Sequence, residues 1–131
     1  SEGPGWVSCQ VREDHGIFQP RLSWVSGYAN TNHHQGSFFR RELHLGYKAG
    51  YRVYGDFEHH LRMLCAGIKP ELVYEVVAEH RGGGISSDSR WNTEEARAVE
   101  ENRGPLHAVV PKVMVPIRRW RARLKGLLSR R

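Results

Sequence analysis

The residues best suited to chemistry are Asp56, at the start of one predicted element, and His34 and Gln35, just before another. Asp56 follows Gly55 at the start of an amphipathic stretch, where a carboxylate can act as a general base. The same position also suits a plain helix cap, because an Asp there meets the positive end of the helix dipole. His34 and Gln35 precede an apolar segment and can hydrogen-bond a hydroxyl-rich ligand. Alternatively, they tie down a loop.

A histidine and a glycine triplet form the second group of candidates. His80 ends a β-branched segment directly before Gly82-Gly83-Gly84. A neutral imidazole at a strand end can bind a divalent metal, although a single histidine is also common as a structural or exposed residue. The backbone amides of a glycine loop can hold a phosphate, and a mobile lid is an equal alternative.

These candidates need a scaffold, and the hydropathy pattern predicts a mixed α/β one. Apolar residues recur every three or four positions over 54–66, which predicts a helix closed by Gly67. A second helix is predicted over 93–102, and strands over 7–11, 36–43 and 72–79. In the first helix we expect at least one of the adjacent His59 and His60 to be exposed, and Cys65 to be a buried thiol.

Charge divides the chain into two parts. Residues 112–131 hold eight basic residues and no acidic one, so residues 1–111 carry 12 basic and 14 acidic residues. The near-neutral body argues against a whole-chain nucleic-acid binder. The tail has apolar residues at helical spacing, with Pro116 expected in the first turn. Such a basic amphipathic helix suits an anionic membrane surface first, a nucleic acid or acidic partner second, or packing on the body.

Simple residue counts exclude some further classes of protein and favour a cellular setting. No stretch approaches the ~20 apolar residues of a membrane span. The two cysteines make neither a disulfide framework nor a zinc site, which favours a reducing cytoplasm. The first residues lack the basic start and apolar centre of a signal peptide.

Several motifs taken in order resemble the C-terminal half of family 2 glycosyltransferases. These are the GT-A type enzymes that build bacterial cell-surface polysaccharides. The resemblance covers residues 33–87, and its motifs are His34-Gln35, Phe38-Phe39-Arg40-Arg41-Glu42-Leu43, Gly55-Asp56-Phe57 and Gly83-Gly84-Ile85-Ser86.

The resemblance implies a role for each matched residue. Asp56 corresponds to the general base that deprotonates the acceptor hydroxyl in an inverting, hexosyl-type transfer. His80 corresponds to a ligand of the divalent metal, Mn²⁺ or Mg²⁺, that holds the sugar-nucleotide diphosphate. Binding of acceptor and substrate is implied for His34, Gln35, Arg40, Arg41, Gly83, Gly84 and Ser86.

The resemblance also implies a fold and a setting. The expected fold is the acceptor-side half of a GT-A domain over residues 1–111, followed by a basic amphipathic helix over 112–131. The Asp-x-Asp motif of the nucleotide-binding half is absent, so we expect a fragment, a truncated reading frame or one piece of a split protein, whose metal is held mainly by the missing half. The implied partners are a UDP- or GDP-sugar donor and a glycan or lipid-linked acceptor, at the inner face of the plasma membrane, with no nucleic acid. The alternative is a non-catalytic membrane-surface or nucleic-acid-binding module acting through the tail.

Overall fold

The computed structural model describes residues 3–85 and 89–128 and shows a mixed α/β fold, which confirms the predicted class. The strands in chain order are β1 (Trp6–Glu13), β2 (Gly16–Phe18), β3 (Ser37–Phe39) and β4 (Glu71–His80). The helices of more than one turn are α1 (Gly55–Cys65), α2 (Asn92–Arg103) and α3 (Val109–Leu128).

β1 is the centre of the four-stranded sheet. β3 pairs antiparallel with its first half and β2 with its second half, while β4 runs parallel to β1 along the other edge. The parallel register pairs Glu13 with His80. The carboxyl ends of two parallel strands therefore lie side by side, which is a common place for a ligand in α/β folds.

The helices pack on one another through a small apolar core. Phe57 and Leu61 of α1 meet Ala98 and Val99 of α2, and all four are buried. Three half-buried tyrosines pack around this core. The 3.6-residue spacing of the apolar side chains explains why α1 forms where the sequence predicts it.

A close contact between the turn before β3 and strand β1 sets the positions of His33 and His34. Residues His34–Gly36 form one turn of 3₁₀ helix directly before β3. A Cβ atom on Gly36 would lie 2.5 Å from the carbonyl oxygen of Cys9 and 2.9 Å from a methyl group of Val11. Only a glycine lets the turn press this closely on the sheet.

Three sequence predictions about this region are wrong. The strand expected over 36–43 is limited to Ser37–Phe39, because only Trp6 to Ser8 of β1 are available to pair with it, and the chain then turns into a 3₁₀ helix. His59 and His60 are both buried, because aromatic side chains cover that face of α1. Cys65 is exposed at the end of α1, whereas Cys9 is the buried thiol.

The basic tail is helical, as predicted, but its helix begins at Val109 rather than at 112. Pro116 lies inside α3 and not in its first turn, so that prediction is wrong. Pro111 occupies the first turn instead, where the missing N–H costs no hydrogen bond. Within residues 3–85 and 89–128, no helix combines the length and apolar character needed to cross a bilayer.

Candidate active site

A cleft of about 230 Å³ opens beside the carboxyl ends of β1 and β4. The sheet edge, the loop before β3 and the start of α1 contribute side chains to it. The lining residues with carboxylate, amide or imidazole side chains are Glu13, Asn30, Asn32, His33, His34, Asp56 and His80. The structure thus brings three predicted site residues, His34, Asp56 and His80, into one cleft.

The Asp56 carboxylate is held on three sides. The side-chain amide of Asn30 donates a hydrogen bond to Oδ2 at 2.9 Å, and the backbone N–H of Phe57 donates to Oδ1 at 2.8 Å. The Nδ1 atom of His34 lies 3.6 Å from Oδ2. With 20% of its side chain exposed, Asp56 remains open to a small ligand in the cleft. Its bonds extend beyond its own helix, so it is more than a helix cap.

A carboxylate on α2 positions the backbone that leads to Asp56. Glu94 accepts hydrogen bonds from the backbone N–H groups of Arg52, Val53 and Tyr54 at 2.9 to 3.1 Å. Burial raises the pKa of Glu94, but the three N–H groups and the charge of Arg97 together hold that pKa below its usual value. The ionised side chain therefore fixes the loop just before α1, and with it the start of the helix.

The electrostatics of the cleft favour an ionised Asp56. Burial by itself raises the pKa of Asp56, but the contact with His34, the field of His60 and the N–H of Phe57 together lower it below its usual value. The same contact with Asp56 raises the pKa of His34. At neutral pH the carboxylate is therefore in the form that can accept a proton.

Asn30 links Asp56 to a buried histidine. Its Oδ1 atom lies 3.4 Å from Nδ1 of His60, while its Nδ2 atom donates to Asp56. The His60 ring stacks on Trp6 with centroids 4.9 Å apart, and burial lowers its pKa to about 4 despite the opposing effect of Asp56. The tautomer of neutral His60 that carries its proton on Nδ1 donates to Oδ1 of Asn30, and this contact favours the amide orientation that points the N–H₂ at the carboxylate.

Three imidazole rings, those of His33, His34 and His80, form another part of the cleft lining. The ring centroids of His33 and His34 are 4.8 Å apart, and those of His33 and His80 are 5.1 Å apart. Glu13 Oε1 lies 3.7 Å from Nε2 of His33. Burial, and then the neighbouring His34 and His80, lower the pKa of His33 to about 4. The wall thus offers hydrogen-bonding groups and flat ring faces to a polar ligand.

The expected metal does not fit the described residues as a self-contained site. In the ranges 3–85 and 89–128, no three His, Cys, Asp or Glu side chains converge so that they could hold a metal ion. His80 could supply one imidazole ligand and would need further ligands from another source. No chemical step for this cleft can rest on a metal held by these residues alone.

Other predicted residues lie elsewhere. The backbone N–H of Arg40 bonds to the carbonyl of Gly5 at 2.9 Å, and its guanidinium contacts the carbonyl of Gly3. Arg40 lines a separate cavity with Glu42, and Arg41 is exposed on the following 3₁₀ turn. Neither arginine is among the described residues that line the cleft.

Gln35 is exposed, and its backbone N–H caps the turn by donating to Nδ1 of His33 at 3.2 Å. The partner of His34 in the cleft is therefore His33 rather than Gln35. His33 supplies both the cap of the turn and one wall of the cleft.

The glycine loop runs from the end of β4. The backbone N–H of Gly82 donates to Oδ2 of Asp14 at 2.7 Å, which ties the loop to the turn between β1 and β2. Gly83 has a φ of 91°, a conformation that favours glycine, and Gly84 is exposed. Ser86 lies outside the described residues.

Sequence reasoning did not identify Asn30 or Glu13 as site residues. Asn30 begins the polar run Asn30-Thr31-Asn32-His33 before His34, and this density of amide groups was the only local signal. Glu13 gave none, because only the parallel pairing of β1 with β4 brings it beside His80.

Comparison with protein families, curated proteins and solved structures found no match to this chain. The resemblance to glycosyltransferases therefore stands on the quoted motifs, and its functional content is a proposal.

Proposed function

We propose that this chain is the acceptor-side part of a family 2 glycosyltransferase with a GT-A fold, and that Asp56 is its general base. The proposal takes a UDP- or GDP-sugar as donor and a glycan or lipid-linked hydroxyl as acceptor, at the inner face of the plasma membrane. The observation that carries it is the Asp56 carboxylate, kept ionised and oriented by Asn30 and His34 in a cleft lined by polar side chains.

In this proposal the acceptor hydroxyl lies against Oδ2 of Asp56 and donates its proton there. The acceptor oxygen forms a bond to the anomeric carbon of the donor while the bond from that carbon to the diphosphate breaks. The electron pair leaves with the nucleotide diphosphate, and the anomeric configuration inverts. Asp56 then releases the proton to water. Asn30 and His34 act as positioning residues, because a fixed carboxylate removes the entropy cost of aligning the base.

Divalent metal enters the proposal only through the resemblance. Mn²⁺ or Mg²⁺ would offset charge on the leaving diphosphate, and His80 would supply one of its ligands. The test is the metal dependence of transfer in His80→Ala. An unchanged response to added Mn²⁺ or Mg²⁺ would remove His80 from the metal site.

The test of the base uses the full-length gene product and labelled UDP- and GDP-sugars with membrane-extracted acceptors. Asp56→Asn should lower transfer by about 10²- to 10⁴-fold, the usual contribution of a general base. Circular dichroism should show an unchanged fold, because the amide keeps the shape of the carboxylate. The control is Glu79→Gln, which alters an exposed carboxylate paired with Arg12 on the sheet and should leave transfer unchanged. Transfer by Asp56→Asn within about threefold of wild type would refute the assignment.

A second candidate function is a non-catalytic module that acts through α3. It is favoured by the charge of residues 112–131, which include eight basic residues and no acidic one. Absence of transfer in both wild type and Asp56→Asn, together with binding through α3, would support this alternative.

A further inference from the structure

One face of α3 is apolar and exposed along most of the helix. Its five apolar side chains are between 39% and 63% exposed, and they are Val109, Val113, Ile117, Trp120 and Leu124. At about 100° of rotation per residue, these positions fall within an arc of about 80°. We call this arc the apolar stripe. An isolated exposed apolar residue is normal, but a continuous row of this kind marks an interaction surface.

The opposite face of α3 is fixed to the body of the protein. Pro111 is fully buried, and the guanidinium of Arg118 donates to Oε2 of Glu95 on α2 at 2.9 Å. Glu95 is buried, and burial raises its pKa against the opposing effect of Arg118. Because Pro111 and Arg118 lie on the side of the helix away from the apolar stripe, the contact with α2 turns the stripe outward.

Cationic side chains border the stripe. Arg121 and Arg123 are exposed and lie about 80° to either side of its centre, and Lys112 is exposed beyond Arg123. Residues 112–131 contain no acidic residue. An apolar centre flanked by cations matches the boundary of an anionic bilayer, where acyl chains lie beneath a layer of phosphates.

We propose that α3 lies flat on an anionic lipid bilayer, with the apolar stripe at the acyl boundary and Arg121 and Arg123 at the headgroup phosphates. Charge complementarity selects this occupant. A second copy of the chain would bring two cationic helices together, and like charges oppose that contact. A nucleic acid would place phosphates against a stripe without charge, where Val113, Ile117 and Leu124 offer neither a cation nor a hydrogen-bond donor.

Vesicle binding tests the surface on the full chain. We expect co-sedimentation with phosphatidylcholine vesicles that contain about 30 mol% phosphatidylglycerol in about 0.1 M NaCl, and weaker binding at higher salt. Ile117→Ser with Trp120→Ser should lower the partition constant by about tenfold or more, through lost apolar burial. Arg121→Glu with Arg123→Glu should lower it by a similar factor on anionic vesicles, and far less on pure phosphatidylcholine.

Matched controls lie elsewhere on the surface. Trp24 is 72% exposed and outside α3, so Trp24→Ser should leave the partition constant within about twofold. Lys69→Glu with Arg81→Glu makes the same charge change as the α3 pair at exposed sites outside the helix. It should lower binding much less than the α3 pair.

A second measurement tests whether Trp120 lies at the acyl boundary, and it does not require a comparison of the affinities of α3 variants. Tryptophan emission should be quenched by lipids that carry a spin label near the headgroup end of the acyl chain, and Trp120→Phe should remove most of that quenching.

Four results would overturn the proposal. The first is absence of binding to anionic vesicles at low salt, and the second is an equal loss of binding in the Trp24 and α3 variants. The third is that duplex DNA displaces the chain from vesicles and also binds the Ile117→Ser, Trp120→Ser variant. The fourth is a dimer in solution that this double variant abolishes. The surface does not depend on Asp56, so Asp56→Asn should bind vesicles like wild type. Failure of the glycosyltransferase proposal therefore leaves this one intact, and the reverse also holds.

Discussion

Mild acid should destabilise this protein through two adjacent histidines of α1. His59 and His60 are 0% and 3% exposed, and burial lowers the pKa of each from 6.5 to about 4. Within residues 3–85 and 89–128, neither ring nitrogen of His59 has a hydrogen-bond partner, and the aromatic rings of Phe39, His44 and Tyr47 surround it. The folded state therefore resists protonation, while the unfolded chain accepts protons as the pH falls below 6.5.

The size of the effect follows from this difference in proton uptake. Stability from a lowered histidine pKa is complete above the unfolded pKa and is lost as pH falls from 6.5 toward 4. At a pH of about 5 the unfolded histidine is almost fully protonated and the folded one is almost neutral, which costs about 2 kcal/mol for each residue. Two such residues remove about 4 kcal/mol, against a typical total of about 5–15 kcal/mol.

His59→Leu isolates one half of this effect. At a pH of about 7.5 the variant should match or exceed wild type by about 1 kcal/mol, because two unpartnered buried nitrogens are replaced by methyl groups of similar volume. At a pH of about 5 its advantage should grow by about 2 kcal/mol. Urea unfolding followed by circular dichroism at both pH values measures the change.

Because the variant is compared with wild type at each pH, the effects of the other titrating groups on stability cancel. Burial also lowers the pKa of His33 to about 4, so this residue adds to the loss of stability in acid. His34 and Glu95 have raised pKa values, so their contribution to stability falls as pH rises and opposes the histidine effect. They are present in both proteins and cancel in the difference. His15→Gln at an exposed turn is the control and should follow the wild-type profile. If the advantage of His59→Leu differs by less than about 0.5 kcal/mol between the two pH values, the reasoning is refuted.

The remaining predictions concern packing and positioning. Gly36→Ala should lower the free energy of unfolding in urea by about 1–3 kcal/mol, because its Cβ would meet the backbone of the sheet. Gly55→Ala at the start of α1 has room for its Cβ and should cost no stability. Equal losses of stability in the two variants would contradict this reasoning. Glu94→Gln should lower the free energy of unfolding by about 1–3 kcal/mol and speed hydrogen exchange of the backbone N–H groups of Arg52, Val53 and Tyr54. Glu100→Gln, at an exposed position of the same helix, should change neither quantity. Exchange at the wild-type rate in Glu94→Gln would refute the role of Glu94 in holding this loop. Arg118→Met should lower stability by about 1–3 kcal/mol, since the partner carboxylate stays buried, and an unchanged midpoint would show that the pair does not hold α3.

Much of the scaffold could be predicted because its signals are local. The helix over 54–66 is present as Gly55–Cys65, and the strand over 72–79 as Glu71–His80. Periodicity and glycine punctuation indicate both, and Gly67 takes a φ of 82° just after α1 as its role requires. β2 has three residues and no comparable pattern, so it could not be found in this way.

The candidate site could be predicted only in part, because its residues meet through tertiary contacts. Asp56 and His80 were found since each stands at the end of an element. Asn30 hydrogen-bonds Asp56 across 26 positions of sequence, and Glu13 meets His33 only after β1 has entered the sheet. The burial of His59 also depends on distant residues, because residues 44–47 fold over α1 and no local pattern indicates that cover.

The parallel pairing of β1 with β4 has a consequence for folding. The whole of residues 14–70 lies between these two strands, so their contact closes a long loop and carries a large entropic cost before any pairing energy is gained. α1 can form early from local contacts, but the cleft cannot exist until β4 docks. We therefore expect Asp56 to reach its final surroundings in the last, rate-limiting step of folding, together with His80. During synthesis, a chain that ends before Glu71 would carry the carboxylate on a helix and have no cleft around it.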